Sequence, residues 1–171
     1  TVKIPVLLYN IPKSTGCNIP ASVVARLAKD VPNILGIKDS SGDMENLKGY
    51  LEAAKDTNLK VLIGSDSKIS EAYALGASGC VAGTSNLIVD TIVPLWKALK
   101  ENNIDVAKKL QKDIDVLRGI LKLGTVPSML KRSVELSGIA PVGSARKPVF
   151  DSNHEQDKEI QDMLAYYGLQ K

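Results

Sequence analysis

Aromatic residues make up 4% of this 171-residue chain, with one Trp and one Phe. That leaves little material for base-stacking platforms or for aromatic belts at a membrane interface. No apolar run approaches the roughly 20 residues needed to span a bilayer, and the opening Thr1-Val2-Lys3-Ile4-Pro5 lacks the pattern of a signal peptide. The two cysteines, Cys17 and Cys80, have no metal-ligand spacing and are too few for a disulfide framework, which fits a reducing cytoplasm. Charge of one sign is also scarce: 22 basic residues against 19 acidic give a net +3, with the signs interspersed. A solvated surface is expected from this, and no nucleic-acid partner. The single histidine, His154, sits in a charged stretch where a catalytic role has no support.

What the chain does have is alternation. Short apolar runs and helical patterns succeed one another over the first hundred residues, as βα units around a parallel sheet require. Four units are expected. The first strand spans Ile4 to Tyr9, followed by the turn-rich Asn10 to Gly16 and a helix with Pro20 near its first turn and Val23, Val24, Leu27 and Ala28 on its apolar face. The second spans Ile34 to Lys38, and Ser40-Ser41-Gly42-Asp43 caps a helix from Met44 to Ala54. The third, Lys60 to Gly64, leads through Ser65-Asp66-Ser67 to a helix ending near Gly76. The fourth, Gly79 to Ala82, leads through Gly83-Thr84-Ser85-Asn86 to a helix reaching about Lys100.

Beyond Asn103 the β signal ends. Ile104, Ala107, Leu110, Ile114, Leu117 and Leu121 recur at helical spacing, Pro127 opens a helix to about Leu136, and Asp151 to Tyr166 forms a last one after an extended connection from Ser137 to Phe150. The expected organisation is four βα units over 1–102 and a three-helix domain over 103–171. Complete (β/α)8 barrels take about 250 residues, so four units read as part of something larger. An open four-stranded sheet would need cover for its edges and faces.

Lys38 is the most informative residue. It ends an otherwise apolar strand, Ile34-Leu35-Gly36-Ile37-Lys38, where a charge is costly unless the site uses it. Strand alternation puts Lys38 on one face with Gly36 and Ile34, pointing into a barrel mouth, while Leu35 and Ile37 are expected to pack outward under helices. Gly36, just below, would leave room for the lysine stem. Tyr9 holds the equivalent place on the preceding strand, about 4.8 Å away in strand spacing, so phenol and amine share a pocket. Such a pair suits imine formation with a ketone: an amine freed of its proton by burial attacks the carbonyl, and a phenol passes protons. The bland alternative is a lysine reaching solvent beside Asp39, with Tyr9 as core. Gly64-Ser65-Asp66 and Gly83-Thr84-Ser85-Asn86 are either carboxylate or phosphate cradles at helix starts or ordinary turns. Cys80 reads as a small core residue.

Taken together, Tyr9-Asn10-Ile11-Pro12 with Thr15-Gly16, Gly36-Ile37-Lys38-Asp39-Ser40-Ser41-Gly42-Asp43 and Gly64-Ser65-Asp66 closely resemble the dihydrodipicolinate synthase and N-acetylneuraminate lyase family. The spacing of Tyr and Lys, the strand order and the helical tail all match, so the resemblance covers the whole chain. It implies an α/β fold comprising the second half, strands five to eight, of a (β/α)8 TIM barrel with a C-terminal helical domain. It also implies a class I carbon–carbon or carbon–oxygen lyase, usually a tetramer, that bonds pyruvate or another 2-oxo acid to Lys38 as a Schiff base. Tyr9 would be the proton relay. Thr15, Ser40, Gly64, Ser65, Asp66 and the main-chain oxygen of Val81 would face substrate, with no metal and no organic cofactor.

The family's carboxylate-holding hydroxyl pair, and a second Tyr that comes from a neighbouring subunit, would lie upstream of Thr1. The chain alone is therefore expected to be inactive, and its start without Met favours a truncated piece. Dihydrodipicolinate synthases carry an Arg just before the Thr-Gly of the strand-five loop, where this sequence has Ser14. That departure favours sugar-acid or 4-hydroxy-2-oxoglutarate aldolases over the synthase. A reading from another class is an inactive half-barrel that serves binding or assembly, and a phosphate-binding barrel is a third.

Overall fold

The computed structural model describes residues 2–170 and divides the chain into two compact units, 1–83 and 84–171. The first unit is built on a parallel sheet of β1 (Val6–Asn10), β2 (Ile34–Asp39), β3 (Lys60–Ile63) and β4 (Gly79–Cys80), paired in that order. Between the strands run α1 (Pro12–Thr15), α2 (Ala21–Asp30), α3 (Met44–Ala54) and α4 (Ile69–Ala74), the last preceded by a single 3-10 turn at Asp66–Lys68. The four expected βα units are all present, with strand ends displaced by one or two residues. Strand β1 starts two residues later than expected because Pro5 has no N–H to donate. The ladder's first bond here is Val6 N–H to the Asn33 carbonyl, 2.7 Å.

Pleat alternation sorts the side chains. On one face Ile37, Val61 and Ile63 are buried, along with Val24 of α2, Leu47 and Tyr50 of α3, and Ile69 and Ala72 of α4. Complete burial of each such aliphatic side chain is worth about 1.5–3 kcal/mol. The opposite face carries Leu7 and Tyr9, 53% and 50% exposed. Leu35, expected to pack under a helix beside Ile37, is 38% exposed, whereas Ile37 is fully buried. On that face the strand is covered at Ile37 and Asp39 and open at Leu35.

Helix α3 starts where the sequence places it because Asp43 accepts hydrogen bonds from the backbone N–H groups of Glu45 (2.9 Å) and Asn46 (3.5 Å). The one-turn α1, with a proline in its first turn, replaces part of the expected loop after β1 and is too short to leave a periodic signal.

The second unit is helical: α5 (Ser85–Lys100), α6 (Ile104–Leu121), α7 (Val126–Leu136) and α8 (His154–Tyr166). Helix α5, grouped by sequence with the βα units, packs on α6 within this unit, and it kinks at Ile88 (φ −117°, ψ 47°). Helix α8 begins at His154, three residues later than expected, because Asn153 and Gln156 form a reciprocal capping box with both bonds at 2.9 Å. Residues 139–153 between α7 and α8 have no helix or strand, as expected for most of that connection.

Candidate active site

The carboxyl ends of the strands form one continuous rim. Ser40 N–H donates to the Asn10 carbonyl (2.8 Å), Gly64 N–H to the Asp39 carbonyl (2.7 Å) and Val81 N–H to the Ile63 carbonyl (2.9 Å). The ladder thus continues past each strand into the residues that sequence nominated for the site. Along it, Tyr9 and Lys38 are direct register partners, and the Lys38 amine sits 4.3 Å from the centroid of the Tyr9 ring. An ammonium at that range is attracted to the ring face.

Ser40 joins the pair. Its hydroxyl is the largest influence on the Tyr9 phenol and, with smaller contributions from Lys38, holds the phenol's pKa below its ordinary value; burial, second in size, acts the other way. Gly64 completes the cluster by what it lacks. A Cβ there would lie 2.0 Å from the Ser40 hydroxyl, 2.7 Å from Cε of Lys38 and 3.1 Å from the Asp39 carbonyl. The room for the lysine stem therefore comes from Gly64. At Gly36, a Cβ would meet the Lys60 carbonyl at 2.8 Å and the Leu7 side chain at 3.4 Å. That glycine serves the approach of strands, a different role from the one expected.

The remaining nominated residues fall into two groups. Ser65 adjoins Gly64 and its hydroxyl lies 3.5 Å from that of Ser67, while Asp66 is buried at the start of the 3-10 turn, with its charge felt at Cys80. Burial first, then Asp66, raises the pKa of the half-buried Cys80 thiol. Val81 lies beyond β4 with its N–H tied to Ile63. The Thr15 hydroxyl is engaged by its own loop, with the carbonyls of Cys17 (2.9 Å) and Ile11 (3.1 Å) both in reach of its one proton.

Sequence reasoning missed the polar network on the opposite face. Asp39 is fully buried and accepts from the Asn10 side chain (2.9 Å), the Ser41 N–H (3.0 Å) and the Ser41 hydroxyl (2.8 Å). The bland reading holds only in part: the Asp39 carboxylate is turned to the other face and held by neutral donors, and Tyr9 at 50% exposure is not core, while Lys38 is partly exposed, as a lysine reaching solvent would be. The available signal was a pair of polar residues, Asn10 and Asp39, each one step past a site residue at a strand end.

Two pockets lie away from this cluster. One is lined by Lys131, Arg132 and Asp157 among others, the other by Leu51, Leu75 and Lys48, and neither contains a nominated residue. Among the described residues no group of three or more His, Cys, Asp or Glu side chains is placed to hold a metal ion. Nor is any helix among them long and apolar enough to cross a membrane.

Residues 1–166 match the model of the dihydrodipicolinate synthetase family. The chain belongs to that family. It is 33% identical over 161 residues to the 4-hydroxy-tetrahydrodipicolinate synthase of Methanothrix thermoacetophila, covering 94% of this chain and 54% of that protein. The corresponding synthase of Methanosarcina acetivorans is 32% identical over 170 residues, 99% of this chain and 58% of that one. The crystal structure of dihydrodipicolinate synthase from Aquifex aeolicus superposes with a TM-score of 0.90 at 26% identity, over 98% of this chain and 57% of its own. This family member thus spans little more than half the length of the curated relatives it matches.

Proposed function

We propose that this chain carries the imine-forming centre of a class I lyase or aldolase that joins pyruvate, or another 2-oxo acid, to Lys38. The observation that carries the reading is the placement of the Lys38 amine 4.3 Å from the ring of Tyr9, its register partner on the adjacent strand. The unprotonated amine attacks the C2 carbonyl carbon, and the resulting carbinolamine loses water to leave an iminium. Tyr9, with Ser40 as its partner, delivers a proton to the departing hydroxyl and takes one back as the next step proceeds. Removal of a C3 proton gives an enamine, whose C3 bonds to an aldehyde carbonyl. Hydrolysis then releases the product and regenerates the amine, and cleavage is the same sequence reversed.

In the full-length protein the four strands serve as strands five to eight of a (β/α)8 barrel. The exposure of Leu7 and Tyr9 on the face opposite the helices supports that reading, since a barrel interior would cover them. The resemblance implies that substrate carboxylate recognition uses residues outside this chain and that the working enzyme is an oligomer, a tetramer.

The second substrate distinguishes two readings. Relatives named 4-hydroxy-tetrahydrodipicolinate synthase favour condensation with aspartate semialdehyde. Ser14, at the place of the family's carboxylate-binding Arg, favours a 2-oxo sugar acid or similar compound. Borohydride reduction of the full-length protein in the presence of pyruvate tests the shared chemistry. A reduced pyruvyl adduct on the Lys38 peptide is expected, and an unmodified peptide by mass spectrometry overturns the reading. Turnover with aspartate semialdehyde against a panel of 2-oxo sugar acids then separates the two substrates.

A further inference from the structure

We propose that Asp39 is a positioning residue for this site: its buried carboxylate locks the ends of β1 and β2 and the loop at Ser40-Ser41 so that Tyr9, Lys38 and Ser40 meet. The role rests on the imine chemistry proposed above. Asp39 is fully buried, and a buried carboxylate is costly unless its oxygens are satisfied. Oδ1 accepts from the Asn10 side chain (2.9 Å), the Ser41 N–H (3.0 Å) and the Asn46 side chain (3.4 Å), and Oδ2 accepts from the Ser41 hydroxyl (2.8 Å). Each donor is neutral.

The sequence places the lock one residue from the chemistry at every point. Asn10 follows Tyr9, Asp39 follows Lys38, and Ser41 follows Ser40. Strand alternation sends the chemical set to one face and the lock to the other. Asn10 extends the lock sideways, donating also to the Asn18 side chain (2.9 Å) and accepting from the Ile19 N–H (3.0 Å). Asn46, on the first turn of α3, brings that helix into the same network. On the locked face Asp39 has Asn10 and Ile63 as register partners, with Ile37 and Val61 beside them, all buried and, apart from Asn10, apolar. An apolar residue at position 39 would fit among the aliphatic side chains there but would leave the Asn10 and Ser41 donors without their acceptor, which is costly for a buried group. A carboxylate is accounted for by what it holds: Ser41 on both its N–H and its hydroxyl, which fixes the backbone next to Ser40, whose hydroxyl is the largest influence on the Tyr9 phenol.

The experiment measures imine formation by rapid mixing of the full-length protein with a range of pyruvate concentrations and a borohydride quench, alongside thermal unfolding. For Asp39→Val the expected result is a maximal rate lower by about thirtyfold or more, within the loss that a misplacement near 1 Å can cause, with the half-saturating pyruvate concentration little changed. Asp39→Asn keeps an oxygen for Asn10 and the Ser41 N–H and is expected to recover most of the rate. A folded Asp39→Val protein with wild-type maximal rate overturns the proposal, as does an Asp39→Asn protein as slow as Asp39→Val. If Asp39→Val does not fold, Ser41→Ala decides: a several-fold lower maximal rate at unchanged melting temperature supports the lock, and an unchanged rate overturns it. A wild-type protein that traps no pyruvate at all fails the imine reading itself and takes this role with it.

Discussion

Lys38 and Tyr9 are register partners on adjacent parallel strands, and the amine of one lies 4.3 Å from the centre of the other's ring. Neither residue sits on a flexible loop. Their spacing is set by the backbone ladder between β1 and β2, which is why substitutions at these two positions are expected to separate chemistry from stability.

Lys38→Arg keeps the charge over the ring but places a guanidinium, never deprotonated in proteins, where a nucleophilic amine is required. Trapped pyruvate is expected to fall below detection in the full-length protein, with thermal unfolding close to wild type. A trapped adduct in this variant would show that another lysine carries the imine.

Tyr9→Phe keeps the ring and removes the proton carrier. A loss of about a hundredfold or more in turnover is expected, within the range for general acid–base groups. Steady-state kinetics with pyruvate checks this, and near wild-type turnover would remove Tyr9 from the mechanism.

Ser40→Ala removes the hydroxyl that is the largest influence on the phenol. That hydroxyl lowers the pKa of Tyr9, so its removal raises it. A step that uses the phenol's proton fails as the phenol ionises, and the alkaline limb of the rate profile is expected to move to higher pH in the variant. A shift to lower pH, or none, contradicts the assignment.

Gly64→Ala introduces a Cβ into the space shared by Lys38, Ser40 and the Asp39 carbonyl. Overpacking of this kind costs about 1–3 kcal/mol, but the atoms that must move include the stem of Lys38. Activity is expected to fall further than stability, whereas Gly36→Ala, crowded by the Lys60 carbonyl and Leu7, is expected to cost stability first. Paired measurements of melting temperature and trapping rate on the two variants distinguish the cases.

In the helical unit, Tyr167 donates its hydroxyl proton to the Asp113 carbonyl and accepts from the Leu117 N–H at 3.2 Å. Burial, the largest influence, helps push its pKa from 10.0 to about 12. A folded-state pKa above the unfolded one contributes stability that is complete below pH 10 and is lost as pH rises through about 12. Tyr167→Phe is expected to cost about 1 kcal/mol at neutral pH and to weaken the alkaline destabilisation. Urea unfolding at pH 7 and pH 11 measures both.

Much of this was legible in the sequence because periodicity and charge disagree so plainly at Lys38. The strand around it is apolar with period two, so its face follows from alternation, and Tyr9 as its partner follows from the equivalent place at the end of the preceding strand. The βα order is equally open to reading, since each strand is short and apolar and each following turn is polar. The helix over Met44 to Ala54 was readable to the residue because Asp43 caps it.

What stayed hidden depends on contacts between distant segments. That Gly64 makes room for Lys38 and Ser40 follows from a backbone approach across two strands. That Asp39 is a buried acceptor and no partner of Lys38 follows from the side chains of Asn10 and Asn46, the first 29 residues away. The packing of α5 with α6 is also tertiary. Its apolar pattern is the same whether it covers a sheet or another helix.

The central claim is a covalent bond between Lys38 and a 2-oxo acid. A crystal structure of the full-length protein soaked with pyruvate tests it most directly. Continuous electron density from Nζ of Lys38 to C2 of the substrate, with the Tyr9 hydroxyl within hydrogen-bonding distance of the adduct, is the result predicted. Pyruvate bound without a bond to Lys38, or bonded to a different lysine, would contradict it.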